Sequence, residues 1–128
     1  MFPSTREAAD GVTILEMPST GHSNSLTSSS MDSIITEMDR LDHDDHVRAI
    51  ILIGQDDVFC TGADIDAFQE QIQQGTVGEH VRTLTDRLHP MLLKMRTSST
   101  VYVACINGST AGGGLALALV CDLRFAVP

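Results

Sequence analysis

The segment TVYVACINGSTAGGGLALALV, residues 100–120, places an apolar run, a turn of small residues and a second apolar run end to end. Val101 to Ile106 reads as a buried strand, and Asn107-Gly108 followed by Ala111-Gly112-Gly113-Gly114 leads into an apolar helix over Leu115 to Val120. RAIILIGQDDVFCTGADIDAF, residues 48–68, repeats that order. Its unbroken stretch Ala49 to Ile53 is the mark of a central strand covered on both faces. Thr61-Gly62-Ala63 then turns into a helix whose N-cap is Asp64. The two copies share little identity but the same punctuation, which predicts an α/β domain built from similar units.

Outward from these copies, Val12 to Met17, bounded by Gly11 and Pro18, reads as a short strand, and residues 1–10 as a tail ahead of a domain over 11–128. A polar loop follows, and Ser28, Ser29 and Ser30 are N-cap candidates for a helix with Met31, Ile34, Ile35, Met38 and Leu41 on one face. Gln69 to Gly75 reads as a solvated helix end and loop. Thr76 and Glu79 have capping-box spacing, and Val81, Leu84, Leu88, Met91, Leu92 and Met95 continue with helical period, kinked or divided at Pro90. Leu123 to Val127 is expected as a third buried strand. Nothing follows it, the pattern of an interrupted domain.

The two small-residue turns carry the chemistry. The first N–H groups of a helix lack partners inside it, and the helix dipole puts partial positive charge there. Ala63 and Gly113 each sit where a strand gives way to a helix, with side chains small enough for a ligand atom to reach the main chain. Two such turns meeting at one point would form an oxyanion hole. Close helix–sheet packing also explains a glycine cluster, but each glycine costs about 1 kcal/mol against alanine inside a helix, so three together need an offsetting gain.

Other glycine motifs fail. A dinucleotide fingerprint would need glycine where Leu117 stands, and a P-loop would need lysine in place of Leu115. Gly108-Ser109-Thr110-Ala111-Gly112 resembles a nucleophile elbow with threonine for serine, yet no histidine follows it. His43 and His46 among Asp42, Asp44 and Asp45 read as a solvated turn, not a metal cluster. His80 and His89, on or near the helix of Leu84 and Leu88, read as surface or core residues.

Charge narrows the partners. Seventeen acidic against eight basic residues, with Lys94 the only lysine, leave no positive face for nucleic acid. No apolar run approaches the roughly 18 residues of a membrane span, and the first residues lack signal-peptide order. Cys60, Cys105 and Cys121 form no CxxC pair, which suits reduced thiols in a cytoplasmic compartment.

Together, Asn24-Ser25-Leu26, residues 47–54, Phe59-Cys60-Thr61-Gly62-Ala63-Asp64-Ile65, residues 106–114 and Cys121-Asp122-Leu123-Arg124 resemble the crotonase family, the enoyl-CoA hydratase and isomerase superfamily. The resemblance runs from about Gly11 to the end of the chain. It implies a truncated, crotonase-like superhelix of repeated ββα units, acyl-CoA thioester substrates, coenzyme A as part of the substrate with no separate cofactor, and trimers or hexamers. It also implies that Ala63 and Gly113 supply the two oxyanion N–H groups, and that Ala63, Asp64, Ile65 and Asp66 lie along the acyl-CoA.

The chain departs from the family at its acids. Hydratases of the family carry a glutamate two residues after the third glycine, where this chain has Ala116. The family's second glutamate lies about twenty residues past the C-D-x-R strand, where this chain has no residues. The resemblance therefore implies isomerase-like or other enolate chemistry in preference to hydration. Asp66, Glu70 and His89 are substitute bases to weigh. The alternative is an inert fragment, or a non-catalytic subunit that binds acyl-CoA or pairs with related chains.

Overall fold

Apolar runs with no polar residue between them must bury backbone and side chains together, and here they pair side by side. The computed structural model describes residues 2–18 and 23–128, so part of the polar loop after Pro18 lies outside the described residues. Five strands, β1 (Ser4–Ala9), β2 (Val12–Glu16), β3 (Ala49–Ile53), β5 (Val101–Ile106) and β7 (Leu123–Ala126), form the main sheet in the order β1-β2-β3-β5-β7. All neighbours are parallel except β1 and β2. The short strands β4 (Val58–Cys60) and β6 (Ser109–Thr110) pair in parallel as a second sheet. The described residues also form four helices: α1 (Ser28–Asp42), α2 (Ile65–Gln74), α3 (Val77–Thr97) and α4 (Gly113–Val120). Thus β3-β4-α2 and β5-β6-α4 are the two expected repeats.

In-register pairing puts Thr13, Ile50 and Tyr102 in one row and Leu15, Leu52 and Ala104 in the next, all buried on one face. Against it pack Met31, Ile34, Met38 and Leu41 of α1 and Leu84, Met91 and Met95 of α3. Asp42 ties the layers, accepting hydrogen bonds from the Tyr102 hydroxyl at 3.1 Å and from Ser98 Oγ at 3.2 Å. Burial first, and the Asp42 carboxylate second, push the Tyr102 phenol above its usual pKa, so it remains a donor.

Several expectations are corrected. Only Ile50 and Leu52 of β3 are fully buried, while Ala49, Ile51 and Ile53 on the opposite face are half-buried, because the helices cover one side of the sheet. β7 is exposed along its length instead of buried, since it is the edge strand and pairs with β5 alone. Residues 1–10 are more than a tail: Ser4–Ala9 pairs with β2, and Thr5 Oγ1 reaches Glu37 of α1 at 3.1 Å. Helix α1 is capped by Thr27, in a capping box with Ser30, one residue before the expected serines. Thr76 makes no side-chain cap; its hydroxyl bonds Gln71 Oε1 at 2.6 Å. Pro90 lies inside an undivided α3, whose buried Leu84 and Met91 hold both sides of it to the core.

The solvated turn around His46 anchors β1. His46 Nε2 lies 2.9 Å from Glu7 and 3.4 Å from Asp10. The hydrogen bond to Glu7, with the Asp10 charge, raises the His46 pKa above the 6.5 of a free imidazole. The same bond holds the Glu7 carboxyl below the ordinary glutamate value of 4.5. Stabilisation from His46 is full below 6.5 and lost as pH rises through the raised value, whereas that from Glu7 is full above 4.5 and lost as pH falls through the lowered one. Hydrogen-exchange protection of the β1 amides is therefore expected to peak between about pH 4.5 and 6.5 and to decline on both sides. Protection flat from pH 4 to 8 would contradict this anchoring.

Candidate active site

Parallel pairing of β4 and β6 delivers two chain segments to the same edge in the same direction, so the turns that follow leave side by side. Ala111 N–H donates to Cys60 O at 3.1 Å. A Cβ on Gly62 would lie 2.9 Å from Gly113 N, and one on Gly114 only 2.0 Å from Cys60 O. These contacts bring the two turns together, which no sequence pattern could establish. Gly62, with φ +81, and Gly112, with φ +54, adopt left-handed backbone that L side chains rarely take.

The surroundings hold the first turn in place. Leu26 N–H donates to Gly62 O at 2.7 Å, and Thr61 Oγ1 to Ser23 O at 2.9 Å. Asn24 Nδ2 donates to Gln55 O at 3.0 Å and to Val58 O at 2.9 Å, which ties the Ser23–Leu26 segment to the β3–β4 connection. Asn107 does the same for the second turn, bonding both N–H and O of Gly54 at 3.0 Å and Asp56 O at 2.8 Å.

Among the described residues, neither the Ala63 N–H nor the Gly113 N–H has a backbone or side-chain acceptor, whereas the next two N–H groups of α4 both donate to Ala111 O. Both residues line one pocket of about 120 Å³. Val81, Leu84, Thr85 and Leu88 of α3 form one wall; Leu26, Met31 and Phe68 complete it. Leu26 Cδ1 and Leu88 Cδ2 come within 3.1 and 3.2 Å of where a Cβ on Gly113 would stand. Two unpaired donors at the mouth of an apolar pocket can receive an oxygen that gains negative charge in a reaction.

The other named residues line no part of this pocket. Asp64 spends its carboxylate capping α2, accepting from Asp66 N–H at 3.0 Å and Ala67 N–H at 3.3 Å. Ile65 is 76% exposed, and Asp66, Glu70 and His89 are exposed and line no part of the pocket. Ala116 lies on a separate surface cleft beside Arg96, Asp122 and Arg124. His80 packs edge-on against Phe68, with ring centroids 5.3 Å apart, a layer behind the pocket wall. Burial drives the Cys60 and Cys121 thiols up to about 11 and about 12, so neither is a thiolate nucleophile at neutral pH. The lining from α3 is what sequence reading missed, because a stripe at positions 81, 84 and 88 carries the same signal whether it faces a core or a cavity.

Residues 7–127 match the family model for enoyl-CoA hydratase/isomerase. The chain is 32% identical over 117 residues to "Probable enoyl-CoA hydratase echA12" of Mycobacterium leprae, covering 90% of this chain and 40% of that protein. It is 30% identical over 120 residues to a 4-chlorobenzoyl coenzyme A dehalogenase of an Arthrobacter species, covering 91% of this chain and 42% of that one. The solved enoyl-CoA hydratase of Bacillus anthracis superposes with a TM-score of 0.87 at 26% identity, over 98% of this chain and 47% of that chain. The chain thus spans less than half the length of these relatives.

Gly62 and Gly75 share nearly the same φ, +81 and +73, but a Cβ on Gly75 would meet nothing within 4 Å. Gly75→Ala is expected to cost about 1 kcal/mol, the backbone penalty alone. Gly62→Ala is expected to cost about 3 kcal/mol, because the methyl group also pushes on the Gly113 turn. Urea unfolding of the two variants measures the difference; equal losses would refute the close approach.

Proposed function

The chain belongs to the enoyl-CoA hydratase/isomerase family, and from that premise we propose that it binds an acyl-CoA thioester with the thioester oxygen held by the Ala63 and Gly113 N–H groups. The observation that carries this reading is the pair of unpaired N–H groups on converging turns at the mouth of an apolar pocket. Removing a proton from the carbon next to the thioester moves negative charge onto that oxygen, and fixed donors favour the resulting enolate more than the neutral ester. The start of α2, with the exposed Ile65 next to Ala63, suits contact with the coenzyme A portion of the substrate. Coenzyme A enters as part of the substrate.

Ala116 in place of a family glutamate favours enolate proton transfer of the isomerase kind over addition of water. Among the described residues, however, no side chain lining the pocket is titratable. That observation favours a second reading in parallel, a chain that binds and polarises acyl-CoA without turning it over by itself. Exposed Leu119, Leu123 and Phe125 suit assembly into a homo-oligomer, a trimer or hexamer, and the three free cysteines suit a cytoplasmic location.

Incubation of the 128-residue chain with 2-enoyl-CoA or 3-enoyl-CoA is expected to give no turnover above buffer. Measurable isomerisation or hydration would show that a base is already present. Polarisation is read separately, from the ultraviolet absorbance of a bound conjugated enoyl-CoA, which moves to longer wavelength when its carbonyl is hydrogen-bonded. Gly113 is the first residue of α4, a position that tolerates proline, so Gly113→Pro deletes the donor with little cost to the helix. Gly113→Ala adds the shared Cβ near Leu26 and Leu88 but keeps the N–H, which proline replaces with a ring carbon. The red shift is expected to persist in Gly113→Ala and vanish in Gly113→Pro, with the donor worth about 2.7 to 4 kcal/mol of enolate stabilisation. An unchanged shift in a folded Gly113→Pro would eliminate the oxyanion assignment.

A further inference from the structure

The pocket that opens from Ala63 and Gly113 is small and closed to polarity on its walls, and both properties restrict the acyl group. Its volume of about 120 Å³ is below the roughly 150 Å³ of an apolar cavity able to hold one benzene ring. About four or five carbons fill such a space. Among the described residues, Thr85 supplies the only side-chain hydroxyl on the lining, and that hydroxyl already donates to Arg82 O at 3.2 Å. With that donor used, a carboxylate on the acyl chain would leave water and find no donor among these side chains, an uncompensated cost.

We propose that this site selects short, unsubstituted acyl groups, and that Leu26 and Leu88 are the residues that set the limit. The proposal rests on the acyl-CoA reading above. Leu88 lies one turn beyond Leu84 on the α3 wall, and its Cδ2 together with Leu26 Cδ1 forms the pair of side-chain atoms nearest to the Cβ position on Gly113. An acyl chain whose carbonyl sits at the two N–H groups runs directly into these two leucines. Leu26 is fixed, 4% exposed and held by its own N–H to Gly62 O, whereas Leu88 is half-buried on a helix face and is the softer of the two. A benzoyl ring, the acyl class named for the Arthrobacter relative, is therefore expected to exceed the pocket of about 120 Å³.

Isothermal titration of the purified chain with butyryl-CoA, octanoyl-CoA, benzoyl-CoA and free coenzyme A tests this. Butyryl-CoA is expected to bind at least tenfold more tightly than the octanoyl or benzoyl esters, a ratio in the range that one or two misplaced methylenes produce in an apolar pocket. Leu88→Ala is expected to bring octanoyl-CoA within about threefold of butyryl-CoA, and Leu88→Phe to weaken butyryl-CoA itself. Circular dichroism melts of both variants identify any loss of fold, and the reciprocal pair keeps the test decisive if one variant unfolds. Equal affinity for all three esters in the unmodified chain, or an unchanged ratio in a folded Leu88→Ala, would overturn the selectivity and leave acyl-CoA binding standing. Esters that bind no better than free coenzyme A would overturn the acyl-CoA reading and the selectivity with it.

Discussion

Main chain touches main chain at the corner where the two repeats meet, and the candidate site hangs on that contact. A Cβ on Gly114 would sit 2.0 Å from Cys60 O, one on Gly108 1.8 Å from Asp57 O and one on Gly54 2.0 Å from Val58 O. No side chain survives at such distances, so the corner can be built only from glycine. The reward is a geometry in which β4 and β6 lie close enough to pair and their following turns lie close enough to share a pocket. Asn24 and Asn107 reinforce the corner by bonding to backbone carbonyls of the β3–β4 connection. Each glycine destabilises the chain through the entropy of its unfolded form, and the hydrogen bonds and burial at the corner offset that loss.

The repeat was legible in the sequence because it rests on local signals. Ala49 to Ile53 and Val101 to Ile106 are apolar without interruption, Asp64 is an N-cap by chemistry, and Gly112 to Gly114 can hardly be anything but a turn into a helix. What was not legible depends on partners distant in sequence. The unbroken apolar run of β3 predicted burial on both faces, yet burial is set by what packs over each face, and α1 and α3 cover only one. The exposure of β7 follows in the same way from its place at the sheet edge, a fact of strand order. Thr76 shows the local limit: the capping spacing is present, but Gln71 competes for the hydroxyl and wins at 2.6 Å.

The candidate site divides along the same line. Ala63 and Gly113 could be chosen from sequence because helix starts and small residues announce themselves. Their meeting could not, because it depends on parallel pairing across a two-strand sheet, with Val58 opposite Ser109 and Cys60 opposite Thr110. The walls were hidden for a different reason. Val81, Leu84 and Leu88 have the spacing of a core stripe, and only the presence of a cavity where α3 faces the turns distinguishes lining from core.

On the proposed acyl-CoA reading, a site with two oriented donors and no titratable wall among the described residues would separate two tasks that proton-transfer enzymes combine. Holding an enolate oxygen requires N–H groups fixed to a fraction of an ångström, and a glycine-built corner supplies that rigidity because the main chain itself carries the donors. Moving a proton requires a group whose charge changes, and such a group would lose solvation among Leu26, Met31, Phe68 and Leu84. Placing donors and base on different parts of a fold resolves that conflict. On that reading the apolar wall would lower the local dielectric on one side of the donors and strengthen their hold on the oxygen, while a proton-transfer group would approach from the open side, where solvent preserves its charge.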